Sequence, residues 1–162
     1  MASTKPKTDW ANGELVTAAH LNAIGENLAA LKNLPTAVAR TSAEIIVAPD
    51  EFADVDSNIL NLSINTVGGD LLVYFCGSLA SHGTSGTITV VFDVSLDGNL
   101  QGGVNGIGEC AANPVVHPVS IMHVVQKTVA GSHIAKLQWK RIGQGHQKIR
   151  LLPGARFWVR EI

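Results

Sequence analysis

The segment TITVVFDVSLDGNL, residues 87–100, decides the fold class of this chain. Its apolar residues occupy every second position from Ile88 to Leu96, and four of the five residues of the other parity are polar. A period of two is typical of a β-strand with one buried and one solvated face. The Asp97-Gly98-Asn99 turn that follows indicates a hairpin. The segment therefore predicts an antiparallel strand that is buried on one face only.

Similar short runs flank this segment on both sides, and glycine-rich or polar turns separate them without any helical pattern between them. Such a series predicts a mainly β fold, an antiparallel sandwich or barrel. The nine predicted strands are Glu44–Val47, Asn58–Ile64, Leu71–Leu79, Thr87–Leu96, Leu100–Val104, Val115–Gln126, His133–Arg141, Lys148–Leu152 and Arg156–Ile162.

The strand predicted from Leu71 to Leu79 differs from its neighbours because both of its faces are apolar. In an antiparallel sandwich such a strand needs cover on its second side. A subunit interface would supply that cover, and it makes Leu72, Tyr74 and Cys76 the predicted interface of the head. Burial under a long loop of the same chain is the alternative.

The first 35 residues predict a different kind of structure. Residues 1–16 form a predominantly polar arm, and residues 17–35 predict one helix that Thr17 caps and Pro35 ends. Four apolar residues of this helix follow the 3-4-3 spacing of a coiled-coil seam; they are Leu21, Ile24, Leu28 and Leu31. The alternative is an amphipathic helix that lies on its own β-domain.

These patterns predict an extended attachment arm (1–16), a helical stalk (17–35), a linker (36–42) and a β-sandwich head (43–162). A helix this short is marginal by itself in water. Hydrophobic residues make up 46% of the chain and charged residues only 15%, against about 25% charged in average proteins. We therefore expect several copies of the chain to associate, with their helices bundled and their heads clustered.

Composition also excludes several classes of partner. The formal net charge of −1 gives no reason to expect nucleic acid. No apolar run approaches the length of about 20 residues that spans a membrane. Two cysteines, Cys76 and Cys110, are too few for a disulfide framework. Synthesis in a reducing cytoplasm fits this usage best.

Two stretches resemble known proteins. Residues 10–22, WANGELVTAAHLN, closely resemble a segment near the N-terminus of small virion proteins of tailed bacteriophages. Residues 130–140, AGSHIAKLQWK, together with the last strand, FWVREI, resemble the trimeric jelly rolls of the tumour-necrosis-factor and C1q type, which also occur as heads of phage fibres. The resemblance implies a homotrimer with a jelly-roll head, located in the virion after synthesis in the host cytoplasm.

The function expected from these features is that of a structural virion protein, a homotrimeric fibre or spike that its N-terminal arm attaches to other virion proteins. Trp10, Leu15 and Val16 are the predicted attachment residues, because a large aromatic in a polar arm needs a partner surface. Packing of Trp10 onto its own helix bundle is the alternative.

Two alternative functions remain open, a capsid decoration protein and a head that binds a host receptor or glycan. In the second case the contact residues would be Asn99, Gln101 and Asn105 in the loop 97–108. The loops 81–86, 97–108 and 143–147 contain no aromatic residue that could stack on a sugar, which favours the structural function.

No catalytic motif is recognisable, so we expect no enzyme, no catalytic residue and no cofactor. The six histidines do not form a metal-ligand pattern, and we expect no metal site. Four carboxylates cluster in one stretch, and they could in principle hold calcium, but a solvated acidic turn is the favoured interpretation; they are Asp50, Glu51, Asp54 and Asp56.

Overall fold

The computed structural model describes residues 18–32, 34–47, 49–83, 86–143 and 147–162. The predicted arm, with Trp10, Leu15 and Val16, lies outside the described residues. The chain divides into two compact units, one that ends at Leu34 and one that runs from Pro35 to Ile162.

The first unit contains helix α1, Ala18–Lys32, so the prediction of a helix in this stretch is confirmed. Three residues of the predicted seam are exposed in the single chain: Leu21 by 59%, Ile24 by 40% and Leu28 by 55%. The side chain of Leu31 lies outside the described part of the structure. The described residues of this unit thus contain one short helix, and the coiled-coil stalk stays a prediction.

Where the structure describes the second unit, it consists of β-strands and one short 3-10 turn, Gly103–Asn105. The strands are β1 Thr36–Arg40, β2 Ile45–Val47, β3 Ala53–Asp54, β4 Asn61–Thr66, β5 Gly69–His82, β6 Ile88–Leu96, β7 Asn99–Leu100, β8 Gly108–Ala112, β9 His117–Thr128, β10 Gly131–Ile142, β11 Lys148–Leu151 and β12 Arg156–Glu161.

These strands form two antiparallel sheets. In sheet A, β5 pairs with β9 on one side and with β12 and then β11 on the other, and these two pair with β1 and β2. In sheet B, β10 lies between β6 and the pair β3 and β4, while β7 and β8 continue beyond β6. From β4 onward the chain crosses between the sheets at five connections: β4–β5, β5–β6, β8–β9, β9–β10 and β10–β11. A sandwich with this alternation is a jelly roll. The predicted fold class of the head is confirmed.

The core lies between the two sheets and contains the largest buried side chains. Phe92 of β6 contacts Phe75 of β5 across the sandwich and Trp139 of β10 beside it, with ring centroids 5.3 and 6.1 Å apart. The apolar side chains at every second position of β6, from Ile88 to Leu96, face this core, as the alternation predicted.

Four strand predictions were wrong. The predicted linker 36–42 contains β1, and β8 was missed, because TAVAR and GECAA are short and have few of the residues that favour strands. The two-residue strand β3, which pairs with β10, was missed as well. The predicted strand Leu100–Val104 is replaced by the end of β7 and by the loop 101–107 with its 3-10 turn.

The predicted solvated face of β6 was also wrong. Val91, Asp93 and Ser95 have exposed fractions of only 2%, 0% and 3%. The loop 101–107 covers Val91 and Asp93: a Cβ atom on Gly106 would lie 2.6 Å from the Cγ1 atom of Val91, and the Gly102 N–H donates to Asp93 at 3.0 Å. The loop thus turns a half-exposed strand into one that is buried on both faces.

Candidate functional site

The candidate site is the outer face of sheet A, the surface of β1, β12, β5 and β9 that points away from the core. On β5 the residues Leu71, Val73 and Phe75 are buried, whereas Leu72 and Tyr74 are only half-buried. The half-buried side chains belong to the outer face, and so does Cys76. The structure therefore brings the three predicted head-interface residues together on one surface.

The strand register arranges the outer face in rows. The central row runs Val38, Trp158, Tyr74, Met122 across four adjacent strands. The rings of Tyr74 and Trp158 lie 5.5 Å apart with an interplanar angle of 41°. Val38 and Met122, at the two ends, are 67% and 69% exposed. An aromatic pair flanked by exposed aliphatic side chains is the composition of an interface core.

A second row makes the same face continuous. It runs Thr36, Arg160, Leu72, Val124, and Val124 is 38% exposed. The third row contains Arg40, Arg156, Cys76 and Ser120, and the Ser120 hydroxyl donates a hydrogen bond of 3.1 Å to the Tyr74 hydroxyl. The face thus has an apolar centre with basic residues on the side of β1 and β12.

The predicted receptor residues lie in or beside the loop 101–107. The Gln101 side chain donates to the Asn99 carbonyl at 2.8 Å, so part of its hydrogen-bonding capacity is used within the loop. Asn99 and Asn105 are exposed. No described contact joins these three side chains into one binding site.

Asp93, which the sequence analysis missed, fixes this loop. Its Oδ1 atom accepts hydrogen bonds from the backbone N–H groups of Val94 at 2.7 Å, Gln101 at 3.2 Å and Gly102 at 3.0 Å. Asp93 lies among the polar residues that alternate with the apolar ones along β6, so the sequence suggested a solvated side chain. The available signal was Gly102, where the chain packs so closely against the backbone of Gly106 that a side chain would clash.

His133 and Asp97 form a second polar contact near the same hairpin. The Nδ1 atom of His133 lies 2.6 Å from Asp97 Oδ2, and its Nε2 atom lies 2.9 Å from the Val129 carbonyl oxygen. The Asp97 hydrogen bond is the main reason that the pKa of His133 is raised, and the same bond lowers the pKa of Asp97. Both ring nitrogens face acceptors, so the imidazolium form satisfies the site.

The acidic stretch 50–56 uses its carboxylates separately. Asp50 pairs with Arg141 at 2.7 Å, Asp54 accepts from Lys136 at 3.0 Å, and Asp56 accepts from the backbone N–H of Ile59 at 2.9 Å. Within the described residues, no three His, Cys, Asp or Glu side chains come together as a metal site.

Both cysteines are free and half-buried. Burial, and secondarily the charge of Glu109, raises the pKa of Cys110 to about 11. Among the residues that the structure describes, no helix has the length and apolar character needed to cross a bilayer.

No protein-family model and no curated protein sequence matches this chain. Similar solved structures include murine APRIL at pH 8.0, with a TM-score of 0.49 and 12% identity, covering 80% of this chain and 100% of that one. Another is Eiger TNF from S. frugiperda, with a TM-score of 0.44, 16% identity and coverages of 80% and 92%. Because these scores lie below 0.5, the assignment of a jelly roll rests on the strand order itself.

Proposed function

We propose that this chain is a structural protein of a tailed-bacteriophage particle, a homotrimeric fibre or spike that its N-terminal arm attaches to other virion proteins. The observation that carries the self-association is the central row of the outer face of sheet A. A row of four apolar or aromatic side chains, with ends about two-thirds exposed, is costly to leave in water.

Helix α1 supports the same proposal independently. Leu21, Ile24 and Leu28 are exposed at the spacing of a coiled-coil seam. A 15-residue helix gains little stability from its own hydrogen bonds. Bundling three copies would bury the seam and tether the three heads, so the stalk and the head would each reinforce the other.

The virion location rests on the resemblance of residues 10–22 to the N-terminal segments of small tailed-phage virion proteins. That segment lies mostly outside the described residues, and the attachment role of Trp10, Leu15 and Val16 is part of the proposal. A polar arm placed before a stalk is suited to insertion into a socket on a larger assembly.

The test has two parts. Native mass spectrometry of the purified chain at micromolar concentration should give the mass of a trimer, and a stable monomer would contradict the proposal. Mass analysis and electron microscopy of phage particles from cells that produce the chain should then locate it. Density at a tail or collar supports a fibre or spike, density over the capsid lattice indicates a decoration protein, and absence from particles contradicts the virion role.

A further inference from the structure

The third row of the outer face contains two arginines that oppose each other directly, Arg40 of β1 and Arg156 of β12. The neighbouring pair is hydrogen-bonded, since the Thr41 N–H donates to the Ala155 carbonyl at 2.9 Å. Hydrogen-bonded and non-hydrogen-bonded pairs alternate in an antiparallel ladder, so the arginines occupy a non-hydrogen-bonded pair, where opposing side chains lie closest. Like charges at such a pair are destabilising.

The described part of the chain does not neutralise this pair. Both arginines are exposed, and no carboxylate among the described residues lies within ion-pair distance of either one. A Cβ atom on Gly154 would lie 3.6 Å from Arg40 Nη2, so the guanidinium extends over a turn that has no side chain at this position. The pair is therefore open toward the surface that the proposed trimer would cover.

Covering an unpaired arginine pair with a second copy would be costly unless that copy supplies negative charge. A closed ring of three copies uses heterologous contacts, in which one patch of each chain meets a different patch of the next. If the outer face of sheet A is one patch, the second patch must carry a carboxylate and apolar surface elsewhere on the same head.

Glu109 meets both requirements. Most carboxylates of the described head already accept hydrogen bonds or pair with cations, whereas Glu51 and Glu109 have no such partner among the described residues. Glu109 lies on β8, whose only described strand partner is β6, at the edge of sheet B beside the edge strand β9 of sheet A. It lines a depression of about 380 Å³ with Ile121 and Met122.

The positions of Glu109 and Arg156 relative to Met122 also agree with a contact between the two patches. Met122 ends the central row of the outer face and lines the Glu109 depression, so the two patches meet there. Arg156 lies two strands from β9 in sheet A, or about 10 Å. Strand β8 packs against β9, with Cα atoms of the two strands within 8 Å of each other. In a ring whose axis passes near Met122, Glu109 and Arg156 would thus both lie near the axis.

We infer that Glu109 of each copy pairs with Arg156 of the next copy, with Arg40 beside it, and that this ion pair sets the register of the head trimer. This inference rests on the proposed homotrimer and adds the partner residues of that interface. The neighbouring copy then supplies the charge that each copy lacks on its own outer face.

The test compares Glu109→Arg, Arg156→Glu and the double variant, with Glu51→Arg as a matched control at the other unpartnered carboxylate. Each single reversal should raise the trimer dissociation constant, measured by sedimentation, by at least about tenfold, because like charges then meet across the interface. The double variant should recover most of that loss, and Glu51→Arg should behave as the wild type. Circular dichroism checks that every variant is folded.

Each result separates the two proposals. A monomeric wild type overturns the trimer, and this inference with it. A trimeric wild type with unaffected single variants, or with no recovery in the double variant, overturns this inference alone. If millimolar sulfate tightens the wild-type trimer while Glu109→Arg has no effect, the arginine pair holds a small oxyanion instead, which also overturns it.

Discussion

Strands β5 and β6 follow each other in the chain and face each other across the core, yet the outer face of β6 is covered and that of β5 is not. The loop 101–107, held by the carboxylate of Asp93, covers the outer face of β6 within the same chain. On the outer face of β5, Tyr74 packs against Trp158 of β12 and lies beside the exposed Met122 of β9. The difference indicates that one face is completed by folding and that the other is available for association.

The largest expected effect concerns the covered face. Asp93→Ala should lower the free energy of unfolding by about 2 kcal/mol, because it leaves the half-buried N–H group of Gly102 without its acceptor and the N–H group of Gln101 with only the Val94 carbonyl. Asp56→Ala is the control: it removes a half-buried carboxylate that caps a turn, and should cost only about 1 kcal/mol. Urea unfolding at one fixed protein concentration measures both, since the stability of the proposed trimer depends on concentration.

A loss below about 1 kcal/mol for Asp93→Ala would show that backbone pairing alone holds the loop. The cover of β6 would then be incidental to the stability of the head. The contrast with β5 would lose its physical basis, because neither outer face would depend on a specific internal contact.

The next effect concerns the open face, and two exposed apolar residues give a matched comparison. Met122 on the outer face of sheet A is 69% exposed, and Val104 in the covering loop is 79% exposed. Met122→Lys should weaken the proposed trimer by about tenfold or more, because it places a charge in the surface that association would desolvate. Val104→Lys should leave trimer dissociation unchanged. Sedimentation at several concentrations measures both, and equal responses would contradict the assignment of the interface.

The sequence predicted the buried parity of β6 and the doubly apolar β5, because burial follows the period of two in both strands. The sequence alone could not predict which residues cover the outer face of β6 or that of β5. Asp93 has the same polarity as a solvated residue, and only the fold brings the N–H groups of Gln101 and Gly102 to it. The opposition of Arg40 and Arg156 likewise depends on pairing between strands that are far apart in sequence.

The smallest expected effect concerns His133, which ties the β6–β7 turn, just before the covering loop, to β10. The Asp97 carboxylate faces its ring from the turn, the Val129 carbonyl accepts from its other nitrogen, and the charge of Glu161 on β12 adds a weaker attraction. Because these groups raise the pKa of His133, the stabilisation should be complete below the unfolded value of about 6.5 and lost as pH rises through the folded pKa. The lowered pKa of Asp97 sets the acid limit: its stabilisation is present above the unfolded value of about 3.9 and lost as pH falls through the folded pKa.

His133→Gln should therefore cost the head most stability between these two limits and progressively less at alkaline pH. The Asp97 side chain is 44% exposed, so solvent screening should keep the difference to about 1 kcal/mol or less. Urea unfolding across this pH range measures the difference between wild type and variant, and His123→Gln, at a half-buried histidine of β9, serves as the control. A difference that stays constant with pH would show that His133 acts as a neutral ring, and that the charge of Asp97 contributes nothing to holding the turn before the covering loop.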